Sequence, residues 1–397
     1  MTIYLDYNAT TPVDPKVYEV MLPYLRDNFY NPSSSYSEAK GPQHAVQRAR
    51  EEVLQLIGAT DLTEIIFTGS ATESNNLALR GVLSTNPNRK HIITTQVEHP
   101  SIYELCKDLE KSGYEVTYLS VNEKGELDVK EIINSIRPDT ALCSIMFANN
   151  ETGVLFPIEQ ISRMVKLTDK RIVFHTDATQ VMGKVSFNLS KELEYVDMLS
   201  FSGHKLYAPK GIGVLYRKKG TPYRAMIVGG HQERGLRAGT ENVPYIVGLG
   251  KACMLAKEHL ANDDKTLQKF RDQIEKVVKK MIPAIQINGE GASRMDNTTN
   301  ISFQSIEGES ILYALNEKQI CASTGSACSS GSLAPSHVLQ AMKIPFTFAH
   351  GSLRISLGRF TTQNDIDQLL EVLPSVVLKL REISPFWDSK LNIPKEA

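Results

Sequence analysis

Cysteine is scarce in this chain. Only 5 of the 397 residues are cysteines, and no two of them have the CxxC spacing, so the sequence supports neither a disulfide framework nor a zinc site. Neither sign of charge is in excess, because the chain has 44 basic and 45 acidic residues and a formal net charge of −1. That balance argues against a strongly basic surface for nucleic acid or for an acidic membrane.

Long apolar runs are absent as well. None approaches the ~20 residues that span a bilayer, and the opening residues MTIYLDYNATTP lack the basic, apolar and small-residue pattern of a signal peptide. We therefore expect a soluble, cytoplasmic protein without a membrane or nucleic-acid partner. A length of 397 residues is enough for one large core and a smaller second one, which predicts two domains.

Short apolar runs alternate with helix-like stretches over residues 15–256. This alternation predicts an α/β fold for that domain, with a mostly parallel sheet wrapped by helices. The predicted strands are 64–67, 91–94, 115–119, 141–146, 172–174, 198–201 and 213–216, and two of the predicted helices are 43–57 and 101–112.

The remaining residues, 257–397, mix strands and helices and predict a smaller α+β domain. Strands are expected at 300–303 and 353–356, and a helix at 365–380. At the entry to this domain, apolar residues over 257–280 are spaced for a single helix face.

A lysine follows the apolar run in the stretch 198–213, MLSFSGHKLYAPKGIG. Lys205 lies at the mouth of a predicted buried strand among small and hydroxylic neighbours, which suits a lysine that forms a Schiff base. The alternative is an ordinary solvated lysine at a strand end.

The stretch 65–79, IIFTGSATESNNLAL, runs from a strand into a helix start. Free backbone N–H groups there, together with the hydroxyls of Ser70 and Thr72, form an anion site. The P-loop lysine is missing, which disfavours a nucleoside triphosphate. The alternative is a capping box made by Ser70 and Glu73.

An acidic residue follows another predicted strand in 171–183, RIVFHTDATQVMG. Asp177 falls at the carboxyl end of that strand, where open α/β sheets bind ligands, and Gln180 lies one turn further on. A lysine, an anion site and an aspartate that can keep a ring nitrogen protonated together suit pyridoxal phosphate. A plain helix N-cap is the alternative for Asp177.

The stretch 321–339, CASTGSACSSGSLAPSHVL, surrounds Cys328 with small and polar residues. Such a segment buries little apolar area, so we expect a mobile surface loop with an exposed thiol. Cysteines flanked by apolar residues are usually buried, which is the expectation for Cys106, Cys143 and Cys253.

The chain resembles the NifS/IscS group of cysteine desulfurases, within the class V aminotransferases and the fold-type I pyridoxal phosphate enzymes. The likeness covers nearly the whole length, and its motifs occur in family order. They are LDYNATTP, NPSS, ATESNN, VEHPS, NNETG, HTDATQ, SFSGHK, RAGTEN, STGSACSSG and LRISLGRF. The resemblance implies that residues 1–14 return to the smaller domain, 257–397, which carries the mobile catalytic-cysteine loop at about 321–334.

The resemblance also implies an activity and its residues. L-Cysteine would become L-alanine through a cofactor ketimine and a persulfide on Cys328, with Lys205 and His99 as the other catalytic residues. Implied cofactor contacts are Ala71, Thr72, His99, Asn150, Asp177, Gln180, Ser202, His204, Lys205 and Thr240. Implied substrate contacts are Arg354, whose guanidinium fits a carboxylate, Asn150 and Asn31.

The implied partners follow from the same likeness. Thr240 matches a residue that reaches the phosphate of a neighbouring subunit, which implies a homodimer. Sulfur would go to an iron–sulfur scaffold or another persulfide-accepting protein. No resident metal is expected, and Cys328 would contact an iron–sulfur cluster only transiently. The tail 386–397, FWDSKLNIPKEA, does not match the tail by which housekeeping members engage their scaffold, whereas RAGTEN favours the NifS-type branch.

Other activities use part of the same residue set. Aminotransferases, selenocysteine lyases and kynureninases share the lysine and the aspartate, but not necessarily STGSACSSG, so Cys328 favours desulfuration. Arg354 could instead be a strand-edge arginine in a surface pair. A non-catalytic scaffold that presents Cys328 to an iron–sulfur cluster is the alternative from another class, but such a scaffold has no use for Lys205, Asp177 or His99.

Overall fold

The fold is taken from a computed structural model that describes residues 2–262, 265–324, 335–388 and 390–395. Its strands are β1 (Ile3–Tyr4), β2 (Ile65–Thr68), β3 (His91–Thr95), β4 (Glu115–Leu119), β5 (Thr140–Ser144), β6 (Val173–Asp177), β7 (Met198–Ser202), β8 (Gly213–Arg217), β9 (Ile285–Ile287), β10 (Thr298–Phe303), β11 (Ile320–Cys321), β12 (Ser352–Ser356), β13 (Trp387–Asp388) and β14 (Ile393–Pro394). Its helices are α1 (Pro15–Arg26), α2 (Lys40–Ile57), α3 (Ala71–Leu83), α4 (Pro100–Lys111), α5 (Val129–Asn134), α6 (Ile158–Thr168), α7 (Val243–Ala261), α8 (Thr266–Met281), α9 (Gly308–Glu317), α10 (His337–Ala341), α11 (Phe346–Ala349) and α12 (Gln363–Ile383).

A seven-stranded sheet in the order β2-β8-β7-β6-β5-β3-β4 forms the centre of the larger part. Strands β3 to β7 pair in parallel, and β8 is antiparallel to both of its neighbours. Every residue of β5, β6 and β7 is buried, as expected for parallel strands with helices on both faces. The predicted α/β fold is confirmed, and each predicted strand over 15–256 is present with ends shifted by a few residues.

The carboxyl ends of the parallel strands meet at one edge of this sheet. The turn after β3 carries His99, and the turn after β5 carries Asn150. Asp177 is the last residue of β6, and Lys205 follows β7 in a short 3-10 turn, Gly203–Lys205. The sheet topology therefore gathers residues from four separate sequence motifs at a single edge.

The smaller part contains a three-stranded antiparallel sheet in the order β12-β10-β9. Helices α8 and α9 each pack on α12 and on a strand of this sheet. Strand β1 pairs in parallel with β11, and Ile3 and Leu5 join the apolar cluster of this smaller part. Val17 and Met21, by contrast, belong to the cluster of the large sheet.

The prediction of one continuous helix face over 257–280 is wrong. Helix α7 ends at Ala261 and α8 begins only at Thr266. Leu260 packs against the cluster of the large sheet, whereas Leu267 and Phe270 pack against the cluster of the smaller part. The spacing is interrupted because the residues before and after the break serve two different cores. No helix in the described ranges is both long and apolar enough to cross a bilayer.

Candidate active site

Lys205 is bound by the first turn of the chain. Its Nζ donates to the carbonyl oxygens of Asn8, at 2.5 Å, and Ala9, at 2.7 Å. The same N-terminal segment is bound to the 3-10 turn Gly203–Lys205, because the backbone N–H of Thr11 donates to the carbonyl of His204 at 2.9 Å. The ammonium is thus held between protein carbonyls at the sheet edge, unlike a solvated strand-end lysine.

Asp177 is 6% exposed and accepts two hydrogen bonds. Its Oδ1 accepts from the backbone N–H of Thr179 at 2.9 Å, which is the capping contact of the alternative interpretation. Its Oδ2 accepts from Nδ2 of Asn75 at 2.8 Å. The second bond crosses from β6 to α3 and has no capping function, so the carboxylate is oriented by more than its own turn.

His99 is the N-cap of α4. Its Nδ1 accepts from the backbone N–H of Ser101 at 3.1 Å and lies 2.9 Å from the Ser101 hydroxyl. Burial lowers the pKa of His99, the charges of Lys205 and Arg354 act in the same direction, and Asp177 opposes them. Burial therefore favours the neutral ring, and its structural role as a cap leaves Nε2 available to a ligand.

The start of α3 contains only half of the predicted capping box. Ser70 caps the helix, with its Oγ accepting from the backbone N–H of Glu73 at 3.1 Å. The Glu73 carboxylate accepts from the backbone N–H of Gly69 at 2.8 Å, not from that of Ser70, and pairs with Arg237 at 2.8 Å. The start of α3 is therefore bound to the RAGTEN segment through the ion pair between Glu73 and Arg237.

The first amides of α3 lie beside the end of β7. Ala71 and Thr72 open the helix, where backbone N–H groups have no intrahelical partner and can bind an anion. Gly213 pairs with Ser202 across β7 and β8, and a Cβ on Gly213 would come within 2.5 Å of the Ser70 backbone. Only glycine permits this approach, which brings the helix start next to Ser202.

His204 is oriented by the same first turn of the chain that binds Lys205. Its Nδ1 lies 3.1 Å from the Thr10 hydroxyl. Burial, reinforced by the neighbouring charge of Lys205, lowers the pKa of His204 to about 4. A neutral His204 can offer hydrogen bonds to an anion at the adjacent helix start without adding charge.

Arg354 is 4% exposed, which excludes the surface-pair interpretation. Its Nη2 donates to Oδ1 of Asp6 at 2.8 Å, and its Nη1 donates to the carbonyl oxygen of Asn150 at 3.1 Å. In the part of the chain that the structure describes, its buried Nε has no hydrogen-bond partner. The guanidinium is thus fixed by protein on two nitrogens and keeps a donor on the third.

The polar atoms of this edge suit pyridoxal phosphate. Gln180 donates from Nε2 to the Asn8 carbonyl at 3.2 Å, and its Oε1 is buried without a partner among the described residues. Unsatisfied buried polar atoms are rare, and Gln180 Oε1 and Arg354 Nε lie on residues predicted to bind cofactor and substrate. A cationic lysine, a buried carboxylate and free helix amides complement the amine-reactive, ring-nitrogen and phosphate ends of that cofactor.

Two predicted residues are not joined to this cluster, and a third lies outside the described residues. Asn31 is exposed, and its Oδ1 accepts from the backbone N–H of Ser33 in its own turn. Thr240 is exposed as well. Cys328 and residues 325–334 of its predicted loop lie outside the described residues. The prediction that the three cysteines flanked by apolar residues are buried is confirmed for Cys106, Cys143 and Cys253.

Two buried carboxyl groups next to the site were missed in the sequence. Glu98 accepts on Oε1 from the backbone N–H of Met146 at 2.9 Å, and burial raises the pKa of Glu98 to about 8. Glu151 accepts from the Ser336 hydroxyl at 2.5 Å, and burial raises the pKa of Glu151 to about 7. Their motifs, VEHPS and NNETG, marked the positions, but glutamate is usually exposed and nothing local indicates its burial.

The first turn of the chain was also missed as part of the site. Asp6, Asn8 and Ala9 supply the partners of Arg354 and Lys205. The motif LDYNATTP was the available signal. Within the described residues, no group of three or more His, Cys, Asp or Glu side chains is arranged to hold a metal ion.

Comparison with known proteins gives matches over nearly the whole chain. A family model described as aminotransferase class-V matches residues 3–369. A protein of Trichormus azollae named cysteine desulfurase is 52% identical over 97% of this chain and 95% of that relative. The cysteine desulfurase NifS of Azotobacter vinelandii is 46% identical over 97% of this chain and 95% of that relative. A solved structure described as a NifS-like protein matches with a TM-score of 0.89 and 37% identity, over 96% of this chain and 100% of that one.

Proposed function

We infer that this chain, which belongs to the aminotransferase class-V family, is a pyridoxal phosphate-dependent cysteine desulfurase. The observation that carries this conclusion is identity of 46–52% to curated cysteine desulfurases over 97% of the chain. The reaction converts L-cysteine to L-alanine and retains the sulfur as an enzyme persulfide. Pyridoxal phosphate, when bound, supplies the electron sink that allows the substrate's Cα–H bond to break.

We assign covalent attachment of the cofactor and transfer of the substrate's Cα proton to Nζ of Lys205. The assignment is supported by its place directly after β7, within reach of the Asn8 and Ala9 carbonyls. Asp177 is proposed to hold the ring nitrogen in its protonated form. Its burial and its fixed orientation by Asn75 support that role, because a poorly hydrated carboxylate favours a cationic partner.

The phosphate end is proposed to bind at the start of α3. Backbone N–H groups of Ala71 and Thr72 would bind its oxygens, with the side chains of Thr72, Ser202 and His204 beside them. The close approach of Gly213 to Ser70 supports this arrangement. His99 is proposed to stack on the ring, and Gln180 and Asn150 to complete the cofactor contacts.

Arg354 is proposed to bind the substrate carboxylate. Its guanidinium is held in place by Asp6 and by the Asn150 carbonyl, and its Nε keeps an unused donor. An arginine fixed on one side loses little further freedom when a carboxylate binds on the other. Asn31 is the weaker substrate candidate, because its hydrogen bonds lie within its own turn.

Cys328 is proposed to accept the sulfur. Its thiolate bonds to the sulfur of the substrate, the carbon–sulfur bond breaks, and the electron pair stays with the carbon skeleton that becomes alanine. The described residues on either side of its segment support the placement: Ser323 is bridged to Arg354, and the Ser336 hydroxyl donates to Glu151. Both flanks are thus attached next to the proposed substrate site.

A homodimer and a sulfur-accepting partner complete the proposal. Met226, Ile227 and Val228 are exposed, Val228 at 86%, in the same connection between β8 and α7 that carries Thr240. Exposed apolar runs of this kind favour a subunit interface, from which Thr240 would reach the partner's phosphate. The NifS name of one relative supports delivery of sulfur to an iron–sulfur scaffold or another persulfide-accepting protein. A cytoplasmic location is part of the proposal.

The division into domains is proposed as residues 15–256 on one side and 1–14 with 257–397 on the other. The membership of the apolar clusters supports it in the N-terminal region, with Leu5 in one cluster and Val17 in the other. The cores are not wholly separate, because Leu339 and Met342 of the second unit pack into the large cluster.

The test is product analysis with purified, pyridoxal phosphate-loaded protein, L-cysteine and a thiol reductant. Alanine and sulfide are expected in equal amounts, and Lys205→Ala serves as the matched protein without activity. Pyruvate and ammonia in place of alanine would contradict the inference, because they indicate β-elimination instead of sulfur transfer to the enzyme.

A further inference from the structure

A chain of hydrogen bonds joins Asp177 to His99. Nδ2 of Asn75 donates to Oδ2 of Asp177 at 2.8 Å and to the Ser101 hydroxyl oxygen at 2.9 Å. That hydroxyl lies 2.9 Å from Nδ1 of His99. The two proposed ring contacts of the cofactor, one at the end of β6 and the other in the turn after β3, are therefore linked through Asn75 of α3 and Ser101 of α4.

The chemistry of the groups fixes the direction of each bond. A carboxylate can only accept, so the Asn75 amide must turn its NH2 side towards Asp177. The backbone N–H of Ser101 can only donate, and it points at Nδ1 of His99 at 3.1 Å. Nδ1 is therefore an unprotonated acceptor, and the ring proton of neutral His99 is on Nε2.

The Ser101 hydroxyl is the last link in this series of hydrogen bonds. Since its oxygen accepts from Asn75, its single hydrogen is left for Nδ1 of His99. Both hydrogens of one amide are thus used, one on the carboxylate and one on the hydroxyl that serves the imidazole.

We propose that Asn75 is a positioning residue which, through its two amide hydrogens, orients the Asp177 carboxylate and aims the Ser101 hydroxyl at Nδ1 of His99. His99 then presents a protonated Nε2, a donor, to whatever lies over the sheet edge. The inference rests on the proposed function for the identity of the ligand, but the bonds themselves belong to the protein.

The side-chain amide of Asn75 forms hydrogen bonds only through its Nδ2 donors in the described chain. The residue is fully buried, and in the described chain its Oδ1 has no hydrogen-bond partner. A buried acceptor without a donor is unfavourable, so a side chain kept only for packing would be better apolar. The adjacent Asn76, in contrast, donates to the carbonyl of Thr72 in its own helix and lies towards solvent.

Isosteric replacement separates this role from packing. Asn75→Asp keeps the shape but puts a carboxylate against Asp177, whereas Asn75→Ala removes the amide altogether. Ser101→Ala removes only the hydroxyl and leaves the Asp177 contact intact. Asn76→Ala is the matched control, one residue away on the same helix.

The first measurement is the ¹⁵N spectrum of the histidines in the holoenzyme without substrate, with the His99 signals assigned from His99→Gln. We expect Nε2 to be protonated and Nδ1 to be unprotonated and hydrogen-bonded. In Ser101→Ala and Asn75→Ala the Nδ1 signal should move towards that of a nitrogen that accepts fewer hydrogen bonds, while Asn76→Ala leaves it in place. A wild-type His99 protonated on Nδ1 would overturn the proposal.

The second measurement is the affinity for pyridoxal phosphate, followed by its absorption, together with steady-state kinetics on cysteine. Asn75→Asp should bind the cofactor at least about tenfold more weakly, since a donor to a charged group is lost. Ser101→Ala should lower kcat by a few-fold or more and change KM little. Wild-type cofactor affinity in Asn75→Asp together with a loss in Asn75→Ala would mean packing only and would refute the donor role.

These outcomes are distinguishable from failure of the proposed function. If the wild-type protein binds the cofactor but forms no alanine from cysteine, the desulfurase inference fails while the ¹⁵N and affinity results still decide the role of Asn75. If the wild type is an active desulfurase, but the His99 signal does not respond to Asn75→Ala and the cofactor affinity does not respond to Asn75→Asp, the inference on Asn75 fails alone.

Discussion

Asp6 accepts a hydrogen bond of 2.8 Å from Nη2 of Arg354, although 348 positions separate the two residues in the chain. The same guanidinium donates from Nη1 to the carbonyl of Asn150, which is on the turn after β5. Arg354 therefore ties the first turn of the chain, the large sheet and the smaller sheet together. The buried cation is paired, and contacts within the protein fix its position.

Arg354→Ala is expected to lower kcat/KM for cysteine about a hundredfold or more. Loss of one partner from a desolvated, hydrogen-bonded charge pair removes roughly 2 to 5 kcal/mol of binding, and Asp6 would be left unpaired. Steady-state kinetics measures the effect, with most of it expected in KM. Arg294→Ala is the control, because Arg294 forms a similarly buried pair with Glu275 in the smaller part. A fall of less than about threefold for Arg354→Ala would exclude it as the carboxylate site.

Lys205→Ala is expected to lose the visible absorption band of covalently bound cofactor that borohydride bleaches. No other amine can substitute if Lys205 alone is attached to the cofactor, so the variant should bind pyridoxal phosphate only reversibly. Absorption spectra before and after borohydride, and mass spectrometry of the reduced protein, report the result. Lys210→Ala, an exposed lysine five residues later, should keep the band. A bleachable band that persists without Lys205 would assign the cofactor to another lysine.

Cys328→Ser is expected to separate cofactor chemistry from sulfur transfer. The variant should bind pyridoxal phosphate and change its spectrum on addition of cysteine, since Lys205, Asp177 and Arg354 are intact. It should release no alanine and carry no extra sulfur by mass spectrometry, because serine cannot form a persulfide. Cys321→Ser, in the half-buried cysteine of β11, should retain turnover. Near-normal alanine production by Cys328→Ser would favour a lyase that needs no enzyme thiol.

Glu98 is expected to make stability fall as the pH rises. Burial raises the pKa of Glu98 from 4.5 to about 8, so the folded protein keeps a proton that the unfolded chain releases. The stability linked to this proton is complete below about pH 4.5 and is lost as the pH rises through about 8, with a slope of at most about 1.4 kcal/mol per pH unit. Between pH 5 and 8, the free energy of unfolding of Glu98→Gln, measured by thermal unfolding, should fall less steeply with pH than that of the wild type.

An exposed glutamate provides the comparison for this pH series. Glu104 is on the solvent side of α4, so Glu104→Gln should keep the wild-type slope. Parallel curves for the wild type and Glu98→Gln would show that Glu98 is ionised in the folded protein.

Much of the fold could be predicted from local patterns. Buried parallel strands are continuous apolar runs that end at turns, and the parallel strands β3 to β7 are found where such runs were identified. Lys205 and Asp177 were identified as site candidates because each directly follows such a run. The helix break between α7 and α8 could not be predicted in the same way, since Leu260 and Leu267 satisfy one helical spacing while packing on different cores.

The sequence by itself identified the candidate residues for the chemistry, because a strand end, a helix start or a small-residue segment is encoded in adjacent residues. Only the tertiary structure decided how those residues are held. The carbonyls of Asn8 and Ala9 at Lys205, the pairing of Asp6 with Arg354 and the link from Asp177 through Asn75 to Ser101 all join segments far apart in the chain. Such contacts leave no local pattern, since each exists only because the sheet brings its strand ends to one edge.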